Sequence, residues 1–268
     1  MKVGVFGFSS EIGNLFTIHL ESKGIDVVSI GRTNPMKDHR YRHFDLRHPL
    51  QIELDDLDFI FMFGWIQTPR NFATASLNYE GYEVIRKSVE KSSVKAVFIS
   101  TVLACESSKS FHANAKFKCE ELFVEKHSVV RIGQLRSSDN SVIGKSARRA
   151  RILTRCAQVF RLDRPMLMPY VHETSVIREL DKILLSQTQG LVTVCDGIEL
   201  LGEKNRFNII FKIKPCSIAK VLDCLNSVIK PYKLVIGDRF YALCSAQDQL
   251  LCSVIAINPP QSRIEGEC

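Results

Sequence analysis

The sequence predicts an α/β protein built on a doubly wound parallel sheet with a small α+β C-terminal lobe, and three observations predict it. An apolar strand over residues 3–7 runs through a tight turn into a helical stretch over residues 14–24. Beyond it, short apolar runs alternate with helical stretches, the pattern of repeated right-handed βαβ units whose sheet is covered on both faces. Finally, 268 residues with 45% hydrophobic content can bury a full core, so one main domain with a smaller lobe is the expected arrangement.

The opening turn is framed by Gly7 and Gly13, with Phe8-Ser9-Ser10-Glu11-Ile12 between them. A pyrophosphate needs free backbone N–H groups at a helix N-terminus, a first turn residue that tolerates an unusual φ, and a later glycine that lets helix and strand pack closely. Gly7 and Gly13 meet the last two needs. Ser10 stands where a middle glycine is common; its hydroxyl can bond a phosphate oxygen, but its Cβ limits how near the backbone comes. The turn marks a Rossmann-type dinucleotide fold, with Gly7, Ser9, Ser10, Glu11, Ile12 and Gly13 as the phosphate-binding set.

The next strand, residues 26–30, ends in Gly31-Arg32. At that end an acidic residue binds the free 2′-hydroxyl of adenosine ribose, whereas arginine suits a 2′-phosphate. Arg32 therefore argues for NADP, with NAD as the alternative cofactor; an exposed loop arginine is the reading without function.

Further strands are predicted over residues 41–45, 58–63, 96–100 and 128–132, and helices over 71–90 and 113–124. In such sheets ligands collect at the carboxyl ends of the strands. Those ends carry Asp45-Leu46, Phe63-Gly64-Trp65 and Ser100-Thr101, followed on the next helix by His112 and Lys116.

Together with the opening turn, these ordered landmarks resemble the extended short-chain dehydrogenase/reductase superfamily over about residues 1–190. They resemble in particular its short sugar-nucleotide members, such as the dTDP-4-dehydrorhamnose reductases and the NAD-dependent epimerase/dehydratase group. The resemblance implies that Asp45 and Leu46 contact adenine, that Phe63 and Gly64 line the cofactor channel, and that Asn78 is the central-helix asparagine. It also matches Arg131 to an arginine that usually precedes a proline; here Ile132 takes the proline's place.

The family's chemistry uses a hydroxyl on the fifth strand and a tyrosine one turn ahead of a lysine. The ammonium lowers the phenol's pKa, so the phenol can pass a proton while hydride moves, and the same lysine holds the nicotinamide ribose. Thr101 fits the hydroxyl and Lys116 the lysine, but His112 occupies the tyrosine position. Imidazole is shorter, and a neighbouring ammonium favours its neutral form, a usable base and a poor acid. Tyr79, Tyr82, Tyr170, Tyr232 and Tyr241 all lack a lysine four residues later. The alternative is that His112 is a helix N-terminal residue without a chemical task.

By the same resemblance the substrate pocket draws on residues 133–149 and 165–173. Arg148 and Arg149, with Arg155, would neutralise a nucleotide diphosphate, which arginine does bidentately. Tyr170-Val171-His172-Glu173 matches a turn into a late helix, where His172 reads as packed. Residues 1–140 are thus the NAD(P)-binding domain. Residues 141–268 form a substrate segment and an interleaved C-terminal lobe, with strands at 191–195, 207–213, 232–236 and 250–257 and a helix at 217–229.

The formal charge is +7, much of it in the basic run over residues 145–155. That run reads first as a solvated face and otherwise as a phosphate or acidic-partner site. Nucleic acid is disfavoured, because no aromatic residues interleave with the basic ones. Nine cysteines are scattered without a Cys-x-x-Cys pair, as small buried thiols in a reducing cytoplasm would be. No apolar run reaches the roughly 18 residues of a membrane span, the start shows no leader pattern, and no metal-ligand spacing stands out. The helices at 71–90 and 113–124 would form a four-helix contact if the chain is a homodimer.

Three function classes follow. The first is an NADP-linked enzyme acting on a small-molecule substrate, a nucleotide-activated sugar or a related carbonyl or alcohol. The second is a dinucleotide-binding protein without turnover, serving as redox sensor or partner-binding subunit; the third is a binder of nucleic acid or of acidic partners through residues 145–155.

Overall fold

The computed structural model describes residues 1–34, 40–66, 72–108, 110–136, 161–162, 166–201 and 212–213. In chain order the elements begin β1 (Lys2–Phe6), α1 (Glu11–Ser22), β2 (Asp26–Gly31), β3 (Arg42–His43), β4 (Phe59–Met62), α2 (Phe72–Lys91), β5 (Lys95–Thr101) and α3 (Phe111–Glu121). They continue β6 (Ser128–Ile132), β7 (Gln134–Arg136), β8 (Arg161–Leu162), β9 (Met166–His172), α4 (Glu173–Ser186), β10 (Gly190–Val194), β11 (Gly197–Leu201) and β12 (Lys212–Ile213).

Seven strands make the central sheet in the order β10-β6-β5-β4-β1-β2-β3, and every pairing in it is parallel. The chain winds outward from β1 in both directions, so the crevice where the order reverses lies between β1 and β4. Strands buried on both faces must be apolar throughout; all four residues of β4 are buried. One face packs Val3, Val5, Phe61 and Ile99 beneath Ile12, Phe16 and Leu20 of α1 and Val176, Leu180 and Ile183 of α4. The other packs Phe6, Ile60, Met62 and Phe98 beneath Tyr82 and Ile85 of α2 and Cys119 of α3.

Helix α1 begins at Glu11, earlier than the residue 14 read from the sequence. Ser10 is its N-cap: the Ser10 Oγ accepts a hydrogen bond from the Gly13 N–H at 3.2 Å, satisfying an amide the helix cannot. The other end closes where expected. Gly24 at φ +72 lets the N–H of Ile25 donate to Leu20 and its own N–H donate to Glu21, which satisfies the last carbonyls.

Two strand assignments differ from the sequence reading. Residues 41–45 keep only Arg42 and His43 as β3, because only these pair with β2. Residues 191–195, read as part of the C-terminal lobe, instead supply β10, which pairs parallel to β6 and widens the main sheet. Beside that sheet lie a three-stranded sheet, β11-β9-β7, and a two-stranded one, β12-β8.

The basic run with Arg148, Arg149 and Arg155 lies outside the described residues, as do the stretches 217–229, 232–236 and 250–257 and most of 207–213. Among the described residues Cys105 and Cys119 are buried free thiols and Cys195 a partly buried one. No helix among them is long and apolar enough to cross a membrane.

Candidate functional site

The opening turn sits directly on the β1/β4 crevice. Gly7 has φ +80, and a Cβ there would stand 2.3 Å from the Gly64 backbone nitrogen. Both the conformation and the contact exclude a side chain. A Cβ on Gly13 would meet the Gly7 carbonyl oxygen at 2.5 Å, and one on Gly64 would meet the Phe6 ring at 2.5 Å. Three bare stretches of backbone therefore converge where the winding reverses. The N–H groups of Glu11 and Ile12 open α1 without intrahelical acceptors, as the first turn of any helix does. This arrangement of bare backbone and helix N-terminus fits a diphosphate.

Ser10 has a task beyond the one read in the sequence: its hydroxyl oxygen accepts from the Gly13 amide, which leaves its O–H as a donor. Glu11 places a carboxyl at the same mouth. Burial, together with the nearby Glu173 carboxylate, raises its pKa from the ordinary carboxylate value, in the direction of the neutral form.

Arg32 follows β2 and is exposed. Asp45 and Leu46 follow β3: the Asp45 carboxylate accepts from the Arg47 N–H at 3.0 Å, an Asx turn, and Leu46 is buried. A Cβ on Gly81 of α2 would lie 2.5 Å from Leu46 Cδ2, so Leu46 also sets how closely α2 approaches. Phe63 and Gly64 continue β4, and both donate their N–H groups to the Phe6 carbonyl, at 2.8 and 3.0 Å.

Helix α2 pins the chain that follows. The Tyr82 hydroxyl donates to the Gly64 carbonyl. Asn78, fully buried, accepts from the Ile66 N–H at 2.8 Å and donates to the Ile66 carbonyl at 3.4 Å. Trp65, between these anchors, turns its ring to α3.

There the Lys116 side chain is 7% exposed. Its Nζ donates to the Ile99 carbonyl at 2.7 Å and lies 4.0 Å from the Trp65 ring centre and 4.7 Å from that of Phe98. Burial lowers its pKa to about 8, against the opposing pull of Cys119 and Glu120. Burial likewise pushes the Cys119 thiol up to about 12. His112, one turn earlier on α3, sets its ring edge-on to the same indole at 5.6 Å.

Thr101 ends β5, and its Oγ1 accepts from the Leu103 N–H at 3.3 Å. Side chains alternate along a strand. Ser100 therefore shares the α3 side of the sheet with Phe98, and Thr101 shares the α1 and α4 side with Ile99. The Ser100 Oγ and the Trp65 Nε1 are buried with no hydrogen-bond partner among the described residues.

The structure thus brings Gly7, Gly13 and Gly64 together at one point, and His112 and Lys116 together at another, across Trp65. Arg131 is engaged elsewhere: its Nε and Nη2 donate to the Glu120 carboxylate at 2.9 and 2.6 Å. His172 packs as expected, N-terminal to α4, with its Nδ1 2.9 Å from Asp196 Oδ2. Sequence reasoning did not single out Trp65, Ser100 or Glu120 as site residues. For Ser100 the period-two alternation of β5 was the available signal, and for Glu120 the four-residue step from Lys116.

No protein-family model matches the chain, and no curated protein matches it. Solved structures do. A nucleoside-diphosphate-sugar epimerase from Staphylococcus aureus superposes with TM-score 0.66 at 12% identity, covering 93% of this chain and 92% of that one. The human epimerase family protein, isoform 2, solved with NADPH, gives TM-score 0.57 at 14% identity and covers 92% and 98%. UDP-glucose 4-epimerase from Thermotoga maritima, solved with UDP-glucose, gives TM-score 0.53 at 18% identity and covers 76% and 80%. The chain therefore has the Rossmann-type α/β fold of these proteins.

Proposed function

We propose that the chain binds NADP(H) across the β1/β4 crevice and passes a hydride between it and a nucleotide-activated sugar, as an atypical member of the extended short-chain dehydrogenase/reductase superfamily. The observation that carries this reading is the closure of Gly7 on Gly64 and of Gly13 on Gly7, which leaves bare backbone where a diphosphate must approach. The amides of Glu11 and Ile12 bond that diphosphate, with Ser9 and Ser10 in the turn beside it. Arg32 clasps a 2′-phosphate, Asp45 and Leu46 border the adenine, and Phe63 and Gly64 floor the channel. The structures solved with NADPH and with UDP-glucose support both ligand classes.

A bound nicotinamide would supply the hydride donor or acceptor. For the proton, the His112 imidazole takes or returns it at the substrate oxygen; the Thr101 hydroxyl, on the other side of the sheet, is not brought beside it. Lys116 offers its ammonium to a ribose hydroxyl. Arg148 and Arg149 hold the substrate's diphosphate.

A second reading, binding without turnover, is favoured by one observation: the Lys116 ammonium is already bonded to Ile99 and capped by an indole. Calorimetry and single-turnover absorbance separate the two. NADPH is expected to bind tighter than NADH, and Arg32→Ala to weaken NADPH alone by about 10-fold to 100-fold, the worth of a charge-assisted hydrogen bond. His112→Ala is expected to slow hydride transfer by about 10²-fold to 10⁴-fold with binding unchanged. Saturable binding without transfer over a nucleotide-sugar panel selects the second reading. Absence of both heat and thermal protection with either coenzyme ends both.

A further inference from the structure

We propose that the Trp65 indole is a shutter: closed over the Lys116 ammonium in this structure, it swings aside to admit a ribose hydroxyl from the carboxyl edge of the sheet. The inference rests on the dinucleotide reading for its ligand, and on packing alone for the shutter. Two sides of the ammonium are fixed, because the Ile99 carbonyl at 2.7 Å and the Phe98 ring at 4.7 Å belong to β5 itself. The third is the indole at 4.0 Å. Trp65 follows the end of β4, so its ring stands on the side from which ligands reach such sheets.

What moves is the ring and not the chain. Tyr82 holds the Gly64 carbonyl, and Asn78 holds both backbone groups of Ile66. Rotation about the two side-chain bonds of Trp65 is the freedom that remains. The closed position also leaves polar groups unsatisfied. The indole N–H and the Ser100 hydroxyl are both buried without hydrogen-bond partners among the described residues, a cost set against the attraction between ammonium and ring. Opening lets the indole N–H reach water or a ligand oxygen. A ligand that bonds the ammonium only in the open position shifts the population to it. Because His112 rests edge-on against the same ring, opening uncovers imidazole and ammonium together.

Trp65 is the chain's single tryptophan, so its emission reports on the shutter directly. The test uses the full chain and measures acylation of Lys116 by acetic anhydride, read by peptide mass spectrometry, in wild type, Trp65→Phe and Trp65→Ala. Trp65→Ala is expected to raise the Lys116 rate by about tenfold or more, since burial under the ring is what keeps the amine from the reagent, and Trp65→Phe to raise it less. Equal rates in wild type and Trp65→Ala overturn the proposal. Should Trp65→Ala not fold, equal rates in wild type and Trp65→Phe overturn it. With NADPH, wild-type emission is expected to become more quenchable by acrylamide. Calorimetric heat with NADPH and unchanged quenching overturns the shutter and leaves the dinucleotide reading standing. Faster acylation in Trp65→Ala without any heat supports the shutter and ends the dinucleotide reading.

Discussion

The glycine cradle at β1/β4 and the lysine pocket at β5/α3 lie along one edge of one sheet, yet they are built in opposite ways. In the cradle the backbone is the working part, and side chains are excluded: Gly7, Gly13 and Gly64 each stand where a Cβ would collide at 2.5 Å or less. In the pocket side chains are the working part, and they are turned inward. Lys116 is bonded to Ile99, Arg131 to Glu120, and Trp65 seals the lysine. The cradle is thus complete as it stands, whereas the pocket must rearrange before its ammonium can serve a ligand. On the proposed function such a chain would bind its coenzyme well and react slowly, because the two tasks depend on different parts of the molecule.

The largest effect that would break this contrast is at Gly7. Gly7→Ala combines a left-handed backbone with a collision against Gly64, and is expected to cost about 3 kcal/mol or more, the strain and overpacking terms together. Gly24 supplies the control: it has φ +72 with nothing within 4 Å of the added Cβ, so Gly24→Ala is expected to cost only about 1 kcal/mol of backbone strain. Urea denaturation of the two variants checks the difference. Equal losses would mean that close approach to Gly64 contributes nothing, and that the cradle owes its shape to φ alone.

The pocket is sharpened by pH. Lys116 is held down to about 8 from an ordinary 10.5, and Cys119 is held up to about 12 from an ordinary 9.0. Between about 8 and 9 the unfolded chain keeps a lysine proton that the folded chain has released, so stability rises with pH. Above 9 the unfolded thiol loses a proton that the folded thiol keeps, which lowers stability and opposes the lysine up to 10.5. Past 10.5 only the fall remains. The rise is worth up to about 1.4 kcal/mol per pH unit. It is read as wild type minus Lys116→Met in denaturation at pH 8 and pH 9. A difference that falls over that interval, or none, would show that Lys116 is solvated in the folded chain.

The same contrast explains what could be read from the sequence. The cradle was legible because its requirements are local: Gly7, Ser10 and Gly13 lie within one turn, and β6 fell on residues 128–132 as its apolar run indicates. Even there the start of α1 was read late, since the cap made by the Ser10 hydroxyl was not weighed. The pocket was half legible. The step from His112 to Lys116 is local on α3, but the indole that joins them comes from the segment after β4, and only the pairing of β4 with β5 brings it there. β10 was misplaced for a similar reason: nothing within residues 191–195 says that their partner is β6.

The smallest effect tests whether the cradle is as complete as its geometry suggests. Ser10 uses its hydroxyl to hold the Gly13 amide at 3.2 Å, and that amide points from the same helix mouth a diphosphate would occupy. Cap and ligand therefore compete for one donor. Ser10→Ala removes the acceptor and is expected to cost about 1 kcal/mol, the usual worth of a serine cap, whereas Ser10→Gly costs only a few tenths of a kcal/mol. Ser10→Gly also removes the Cβ that limits backbone approach, so NADPH affinity is expected to rise by about twofold to threefold, a change of roughly half a kcal/mol. Calorimetric titration of both variants resolves the two roles. If Ser10→Gly weakens binding, the hydroxyl contributes more to the ligand than to the helix, and the capped conformation gives way when a phosphate arrives.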